Sequence, residues 1–287
     1  MRFEAPFSST AVRLGKRPLA SYRRQSLAEW ISTNGYPPVP FLESAPMFYT
    51  DRRTILLLML VSALTTHASE RVYFTAFSAP AGTRFAEWSS SPISWFIKAS
   101  PARSGALPPP PVGVAVAPGG RHFLGEFGGP AIGHAGESGW NRTRVDQTVT
   151  LSLSHLPSHD HATVSFDLLV LKSWDGNSPV FGPDRWRLGV RDGALLLDTT
   201  FSNNPKVAME GSDQDYPTSN RPPRTGAISV DTLGYRFFGD SIYHFAFTFR
   251  HTDDRLILDF FSSLFEGKGT DDESWGLANV EVSLAHN

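Results

Sequence analysis

Two short segments hold most of the side chains that could do chemistry. The first runs from Ser173 to Trp186 and contains SWDGN followed by GPDRW, and the second runs from Asp271 to Gly276 and reads DDESWG. Both combine carboxylates, tryptophan and glycine between strand-like runs, which is typical of an ordered loop with a role of its own. We predict that the two segments meet in space at one edge of the fold.

The oxygen-bearing side chains of these segments predict a calcium site. Ca²⁺ binds six to eight oxygens from carboxylates, amides, backbone carbonyls and water. A shared cation would also relieve the repulsion between crowded carboxylates. The alternative is a simple Asx turn at residues 175–177, with the other acids solvated. The candidate metal ligands are Asp175, Asn177, Asp184, Asp272 and Glu273.

The three tryptophans of the segments form a candidate sugar platform. Trp174, Trp186 and Trp275 could each offer a flat ring to the C–H face of a pyranose, while the acids and amide beside them hydrogen-bond its hydroxyls. The alternative is that these rings are core residues at strand ends. The predicted ligand-binding set therefore comprises the three tryptophans together with Asp175, Asn177 and Asp184.

Catalytic and transition-metal patterns are weaker in this sequence. A glycoside hydrolase needs two carboxylates facing each other across a cleft, whereas Asp272 and Glu273 are adjacent in a predicted turn. The spacing of His159-Asp160-His161 suits a transition metal, but a third ligand is not apparent in the sequence, which favours a solvated turn. A laminarinase-like hydrolase stays an alternative, and we assign no catalytic residue.

Composition narrows the class of protein and its partners. The 287 residues contain no cysteine, which excludes disulfides and thiolate metal sites. Residues 69–287 carry 18 basic and 24 acidic residues, a net charge of −6. An acidic body argues against nucleic acid, which needs clustered positive charge, and is compatible with calcium or neutral sugars.

The chain divides into three predicted regions. Residues 1–46 are predicted to be a disordered extension, which an upstream choice of start codon would explain. Residues 47–68 have the pattern of a signal peptide, with a charged start, an apolar run at 55–64 and small residues at 66–68. The apolar run of about ten to twelve residues is too short to span a bilayer, so we predict export without stable membrane insertion. Residues 69–287 are predicted to form one β-sandwich domain.

The elements that must position these side chains are strands. Val145, Val149 and Leu151 alternate with polar residues, as in a strand with one wet face. Thr163–Leu171 is apolar except for Ser165 and Asp167, which predicts a central strand buried on both faces. We expect about eight to ten strands separated by turns, including one at Ile228–Phe238. This pattern predicts an all-β antiparallel sandwich of the jelly-roll type.

Residues 145–284 resemble a family of uncharacterised jelly-roll domains of secreted bacterial proteins, with a concanavalin A-like or carbohydrate-binding architecture. The resemblance implies location and fold more than chemistry. Members read Gly-Leu-Asp-Asn-Val near the end, where the Asp resembles a calcium ligand of related jelly rolls. Here that position is Ala278, which weakens the calcium site implied at that corner. The motifs that carry the resemblance are SWDGN at 173–177, GPDRW at 182–186, DTTFSN at 198–203 and DESWGL at 272–277.

Together these observations predict a secreted, non-catalytic binding or structural module. Its expected partner is an extracellular polysaccharide or a cell-surface component, with Ca²⁺ as a candidate stabilising ion. A purely structural surface protein without a glycan ligand is a further alternative.

Overall fold

The protein is described by a computed structural model. It describes residues 69–97, 100–132, 143–204, 213–236, 238–265 and 268–286. The predicted extension at 1–46 and the predicted signal peptide at 47–68 lie outside the described residues. Within the described part of the chain, no helix has the length and hydrophobicity needed to cross a lipid bilayer.

The described residues are almost entirely strands and turns. One short 3-10 turn, Gly269–Asp271, precedes the last strand. The strands are β1 (Glu70–Thr75), β2 (Trp88–Ser90), β3 (Ile93–Ile97), β4 (Ser100–Leu107), β5 (Val114–Val116), β6 (His122–Phe127), β7 (Thr143–Ser154), β8 (His161–Lys172), β9 (Arg185–Val190), β10 (Leu195–Thr200), β11 (Ser229–Val230), β12 (Asp240–Arg250), β13 (Arg255–Leu264) and β14 (Glu273–Ala285).

Two seven-stranded antiparallel sheets pack against each other. In the first sheet the strand order is β11-β12-β8-β14-β6-β5, with β1 also paired to β14. In the second sheet it is β10-β9-β13-β7-β3-β4, with β2 also paired to β7. The predicted jelly-roll β-sandwich is therefore confirmed.

Strand β8 is the centre of the first sheet, as its apolar sequence predicts. It pairs with β12 on one side and β14 on the other. Its inward residues Val164, Phe166, Leu168 and Val170 join the core between the sheets. On the other face, Leu169 and its neighbours pack beneath the loop around Leu233, forming a second, smaller cluster. One half of the outer face is thus covered and the other half is left to solvent.

Two sequence predictions about strands differ from the structure. Ile228–Phe238 was expected to be one strand, but only Ser229–Val230 is. The chain turns away at Asp231, where φ is 55°, and the carboxylate of Asp240 then accepts the backbone N–H groups of Thr232 and Leu233. Strands β2, β3 and β4 lie before the four prolines at 108–111, in a stretch that has no clear period of two and to which we therefore assigned no strand.

Candidate functional site

The two predicted segments meet, because of how β8 and β14 pair. Lys172 at the end of β8 lies opposite Glu273 at the start of β14, so the residues that flank these ends are neighbours. The backbone N–H of Ser173 donates to the Asp272 carbonyl at 2.9 Å. The indole N–H of Trp174 donates to the Ser274 carbonyl at 2.8 Å. The antiparallel register therefore joins segments about a hundred residues apart in the sequence.

Three carboxylates from these segments converge in the interior. One oxygen each from Asp175, Asp184 and Glu273 lies within 4.8 Å of the others. All three side chains are buried, and Asp184 is fully so. We call these three residues the acidic trio. Carboxylates this close and this far from water cannot all be ionised without a compensating cation.

Local hydrogen bonds hold the acidic trio in place. Asp184 accepts the backbone N–H of Asp175 at 2.5 Å and that of Phe265 at 3.2 Å. Asp175 accepts the amide N–H of Asn204 at 3.1 Å. Gly176 has a φ of 59°, and a Cβ there would lie 2.4 Å from the Asp213 carbonyl oxygen. Only glycine fits this turn, which explains the glycine in SWDGN.

The electrostatics of the acidic trio favour a bound proton or a bound cation. Burial has the largest effect and raises the pKa of Asp175 to about 6. The charge of Asp272 contributes a smaller increase. The Asn204 hydrogen bond and the charge of Lys268 oppose that rise. Burial, and then the charge of Asp175, raise the pKa of Asp184 well above its usual range. A divalent cation bound between the carboxylates would offset the cost of their burial and mutual repulsion, so that they could stay ionised.

Two of the five predicted metal ligands lie outside the acidic trio. The Asn177 amide donates to Asp215 at 2.8 Å, and its carbonyl oxygen accepts from Thr200 at 2.7 Å. Asp272 accepts from the Ser173 hydroxyl at 2.6 Å and lies 3.3 Å from the Lys268 ammonium. Both residues therefore take part in the hydrogen bonds of the loops around the trio, and their assignment as metal ligands stays a prediction.

The alanine at position 278 does not affect the acidic trio. Ala278 lies opposite Asp167 in β8 and packs with Ala117, Phe123 and Leu169. It is five residues along β14 from Glu273, which corresponds to about 16 Å in a strand. An alanine at this position therefore removes no ligand from the trio.

The predicted sugar platform was wrong. Trp174, Trp186 and Trp275 are each 0 % exposed, so no ring face is free to contact a sugar. Trp186 and Trp275 pack edge to face, with centroids 5.8 Å apart, inside the core. The sequence contained the signal: Trp186 is in phase with buried Leu188, and Trp275 is in phase with buried Leu277. Buried Asp175 and Asp184 are equally unable to reach sugar hydroxyls.

The structure reveals a polar network that the sequence pattern did not identify. Asp167, buried in the middle of β8, accepts hydrogen bonds from Arg121 at 2.9 Å and Asn279 at 2.8 Å. Its other oxygen lies 2.9 Å from the Nδ1 atom of His244. Asn279 reaches it from a bulge in β14, with φ at 50°. The signal in the sequence was Asp167 itself, the one charged residue between Thr163 and Leu171 in a mostly apolar strand.

Around this network the first sheet presents an open face to solvent. Its side chains alternate with core residues, and the central ones are small. Phe74 is 51 % exposed at one side and lies beneath the Arg71 guanidinium, 5.3 Å from ring centroid to Cζ. We define the open face by Phe74, Thr163, Ser165, His244, Ala246, Thr248, Asn279 and Glu281.

Comparisons with known proteins give no family for this chain. No family model matches it, and no curated protein matches it. A crystal structure of dimeric latent PorU from Porphyromonas gingivalis is 12% identical, with a TM-score of 0.30, over 74% of this chain and 14% of that one. A structure of infectious bursal disease virus Gt strain is also 12% identical, with a TM-score of 0.22, over 77% and 56% of the two chains.

Proposed function

We propose that this chain is a non-catalytic module that works outside the cell and binds an extracellular polysaccharide on the open face. The observation that carries the proposal is the network on Asp167. A buried carboxylate there orients an arginine, a histidine and an asparagine on an exposed sheet surface. The export pattern of residues 47–68 supports the extracellular location.

The chemistry of the open face suits sugar hydroxyls. Asp167 already accepts three hydrogen bonds, so the groups left for a ligand are the remaining N–H groups of Arg121, the second ring nitrogen of His244 and the amide oxygen of Asn279. Such mixed donors and acceptors match hydroxyl groups, which both donate and accept. The small side chains of Ser165 and Ala246 leave room for a chain to lie flat, and the Phe74 ring offers an apolar surface.

A polysaccharide panel tests this proposal directly. We expect the wild-type chain to bind at least one neutral or uronate-containing polysaccharide in affinity electrophoresis. The exposed substitution Ala246→Gln should weaken that binding by about tenfold, or roughly 1.4 kcal/mol, because it fills the centre of the open face without touching the core. Ala194→Gln, in the exposed β9–β10 turn of the second sheet, is the matched control and should bind normally.

Two results would contradict the polysaccharide proposal. The first is failure of the folded wild-type chain to bind any polysaccharide, including the case in which it still binds cell-wall protein. The second is equal binding by the wild type, Ala246→Gln and Ala194→Gln, which would place the ligand elsewhere.

We also propose that the acidic trio holds a divalent cation, with Ca²⁺ as the first candidate. The support is the convergence of three buried carboxylates on the junction of two loops. Oxygen ligands of this kind suit hard cations, and further ligands would come from water or backbone carbonyls. The cation would be structural, because the trio is buried and remote from the open face.

Thermal unfolding with and without chelator tests the cation proposal. A ligand of the folded state stabilises it by RT ln(1 + [L]/Kd), which is about 2.7 kcal/mol at a hundredfold excess over Kd. We expect calcium to raise the midpoint of the wild-type chain and of the control Asp254→Asn, whose side chain is exposed. Asp175→Asn should lose the rise. The proposal is rejected if calcium leaves the wild-type midpoint unchanged or still raises that of Asp175→Asn.

A further inference from the structure

A polar side chain lies at a core position of β7. Gln147 is in phase with the buried residues Val145 and Val149 on the inner face of the second sheet, and it is only 2 % exposed. Its Oε1 atom accepts the backbone N–H of Gly128 at 2.9 Å. Because a backbone N–H group only donates, the atom that faces Gly128 is the amide oxygen, and the NH₂ group points away from it.

The NH₂ group of Gln147 has no hydrogen-bond partner among the residues that the structure describes. Within that part of the chain, the one hydrogen bond of this side chain is the bond from Gly128. A buried N–H group without an acceptor is costly. An acceptor supplied by a ligand would therefore be stabilising at this position.

Gln147 lines a cavity of about 480 Å³ beside the prolines at 108–111. This volume lies within the range of about 300 to 1,000 Å³ that is typical of small-molecule sites. The walls of the cavity are mostly apolar, and Pro108 is exposed at its edge. The apolar side chains in the lining are those of Ile93, Leu107, Pro108, Pro110 and Pro130.

Hydrogen bonds and close packing fix the walls of the cavity. The Ser90 hydroxyl donates to the Pro110 carbonyl at 2.6 Å, and the backbone N–H of Thr270 donates to the Gly129 carbonyl at 3.2 Å. Gly129 has a φ of 77°, and a Cβ there would lie 2.7 Å from the Val145 side chain. A cavity between fixed loops loses little conformational freedom when a ligand binds.

The carboxylate in the lining is neutralised by a lysine. Glu126, the charged residue among the described residues that line the cavity, accepts from the Lys172 ammonium at 2.9 Å and from the Tyr235 hydroxyl. A carboxylate has about four lone-pair sites, so Glu126 can still accept hydrogen bonds from a ligand. The cavity therefore offers an N–H donor, an acceptor and apolar walls without net charge, which favours a neutral ligand.

We propose that this cavity binds an N-acetylated amino sugar, such as N-acetylglucosamine at the end of a glycan. The acetamido carbonyl oxygen accepts from the Gln147 NH₂ group, the acetyl methyl group packs on the apolar walls, and sugar hydroxyls donate to Glu126. A hexose without the acetamido group lacks both the carbonyl and the methyl group. None of the lining residues belongs to the open face, so this site is separate from the polysaccharide site proposed there.

Saturation-transfer difference NMR of the full chain with free sugars tests this assignment. We expect N-acetylglucosamine to bind with its strongest saturation at the acetyl methyl protons, and glucose and glucosamine to bind at least about tenfold more weakly. Absence of N-acetylglucosamine binding, as expected if water alone fills the cavity, would overturn the proposal. Equal binding by glucose would also overturn it. Nε-acetyl-lysine carries the same acetamide without a sugar ring, and equally tight binding of it would contradict the sugar assignment.

Two variants locate the bound sugar in this cavity. Gln147→Glu keeps an oxygen for Gly128 but loses both N–H donors, so we expect binding of N-acetylglucosamine to weaken by about tenfold or more. Because a buried carboxyl group can destabilise the fold, Pro108→Gln is a second test, in which a longer side chain at the exposed edge should also weaken binding. Pro109→Gln is the matched control, since Pro109 is exposed but does not line the cavity.

The variants also separate this site from the open face. Ala246→Gln should bind N-acetylglucosamine like the wild type, whether or not it loses a polysaccharide on the open face. Wild-type affinity in folded Gln147→Glu, or equal affinity in Pro108→Gln and Pro109→Gln, would show that the sugar binds elsewhere and would refute the assignment.

Discussion

The environment of Asp175 differs from that of a surface carboxylate, and its pKa is raised to about 6. Its burial replaces water with apolar and carboxylate neighbours, and the Asn204 hydrogen bond only partly compensates. Asp184 lies beside it with a raised pKa of its own. Such a pair is stable with a proton or with a cation, and the pH dependence of stability distinguishes the two states.

The sign of that pH dependence follows from the raised pKa. The folded pKa of Asp175 is about 6, against an ordinary value of 3.8, so the folded state retains a proton that the unfolded chain has released. In chelator we therefore expect the free energy of unfolding to fall by about 2 to 3 kcal/mol as pH rises from about 4 through 6. Saturating calcium should abolish this fall. The measurement is urea unfolding at a series of pH values.

The prediction for Asp175 is contradicted if the free energy of unfolding in chelator stays constant over that pH range. Asp175→Asn is the internal check, because an amide has no proton to lose there. Its profile in chelator should be flatter than that of the wild type. A fall of the same size in this variant would assign the effect to another group.

At the scale of elements, long strands with a clear period were predictable. β7 shows the expected alternation, and β8 is central because its sequence is apolar on both faces. The meeting of the two acidic segments followed from motifs at the ends of neighbouring strands. The short strands β2, β3 and β5 were not predictable, since three to five residues contain too little period to separate a strand from a loop.

The sugar platform was predicted wrongly because it depended on the direction of side chains and not only on their type. The tryptophans were chosen for their chemistry, but their phase relative to Leu188 and Leu277 already placed them inward. Asn177 and Asp272 are close to the acidic trio in sequence, and their side chains form hydrogen bonds with Thr200 and Ser173. Such bonds depend on partners distant in sequence, here by 23 and 99 residues, so spacing alone could not reveal them.

At the scale of the whole molecule, β8 separates two polar regions. The acidic trio lies beyond its end at Lys172, and the contact between His159 Nε2 and His251 Nδ1, at 2.7 Å, lies beside its start at His161. The strand spans twelve residues, so the two regions are on the order of 35 Å apart. Between them is a core in which Trp186 contacts Phe166, Phe245 and Phe260. Close-packed interiors of this kind do not by themselves couple distant sites.

We therefore expect the two regions to act independently on stability. The changes in unfolding free energy caused by substitutions more than about 10 Å apart usually add to within about 0.5 kcal/mol. In calcium near pH 7, the change in unfolding free energy of the double variant Asp175→Asn with His251→Asn should equal the sum of the single changes. Asp175→Asn combined with Asp184→Asn is the positive control, because these residues share a backbone hydrogen bond and their charges interact, and their effects should not add. A coupling above about 1 kcal/mol between the remote pair would mean that the sandwich core transmits loop rearrangements from one end to the other, because no direct charge interaction survives that distance in salt.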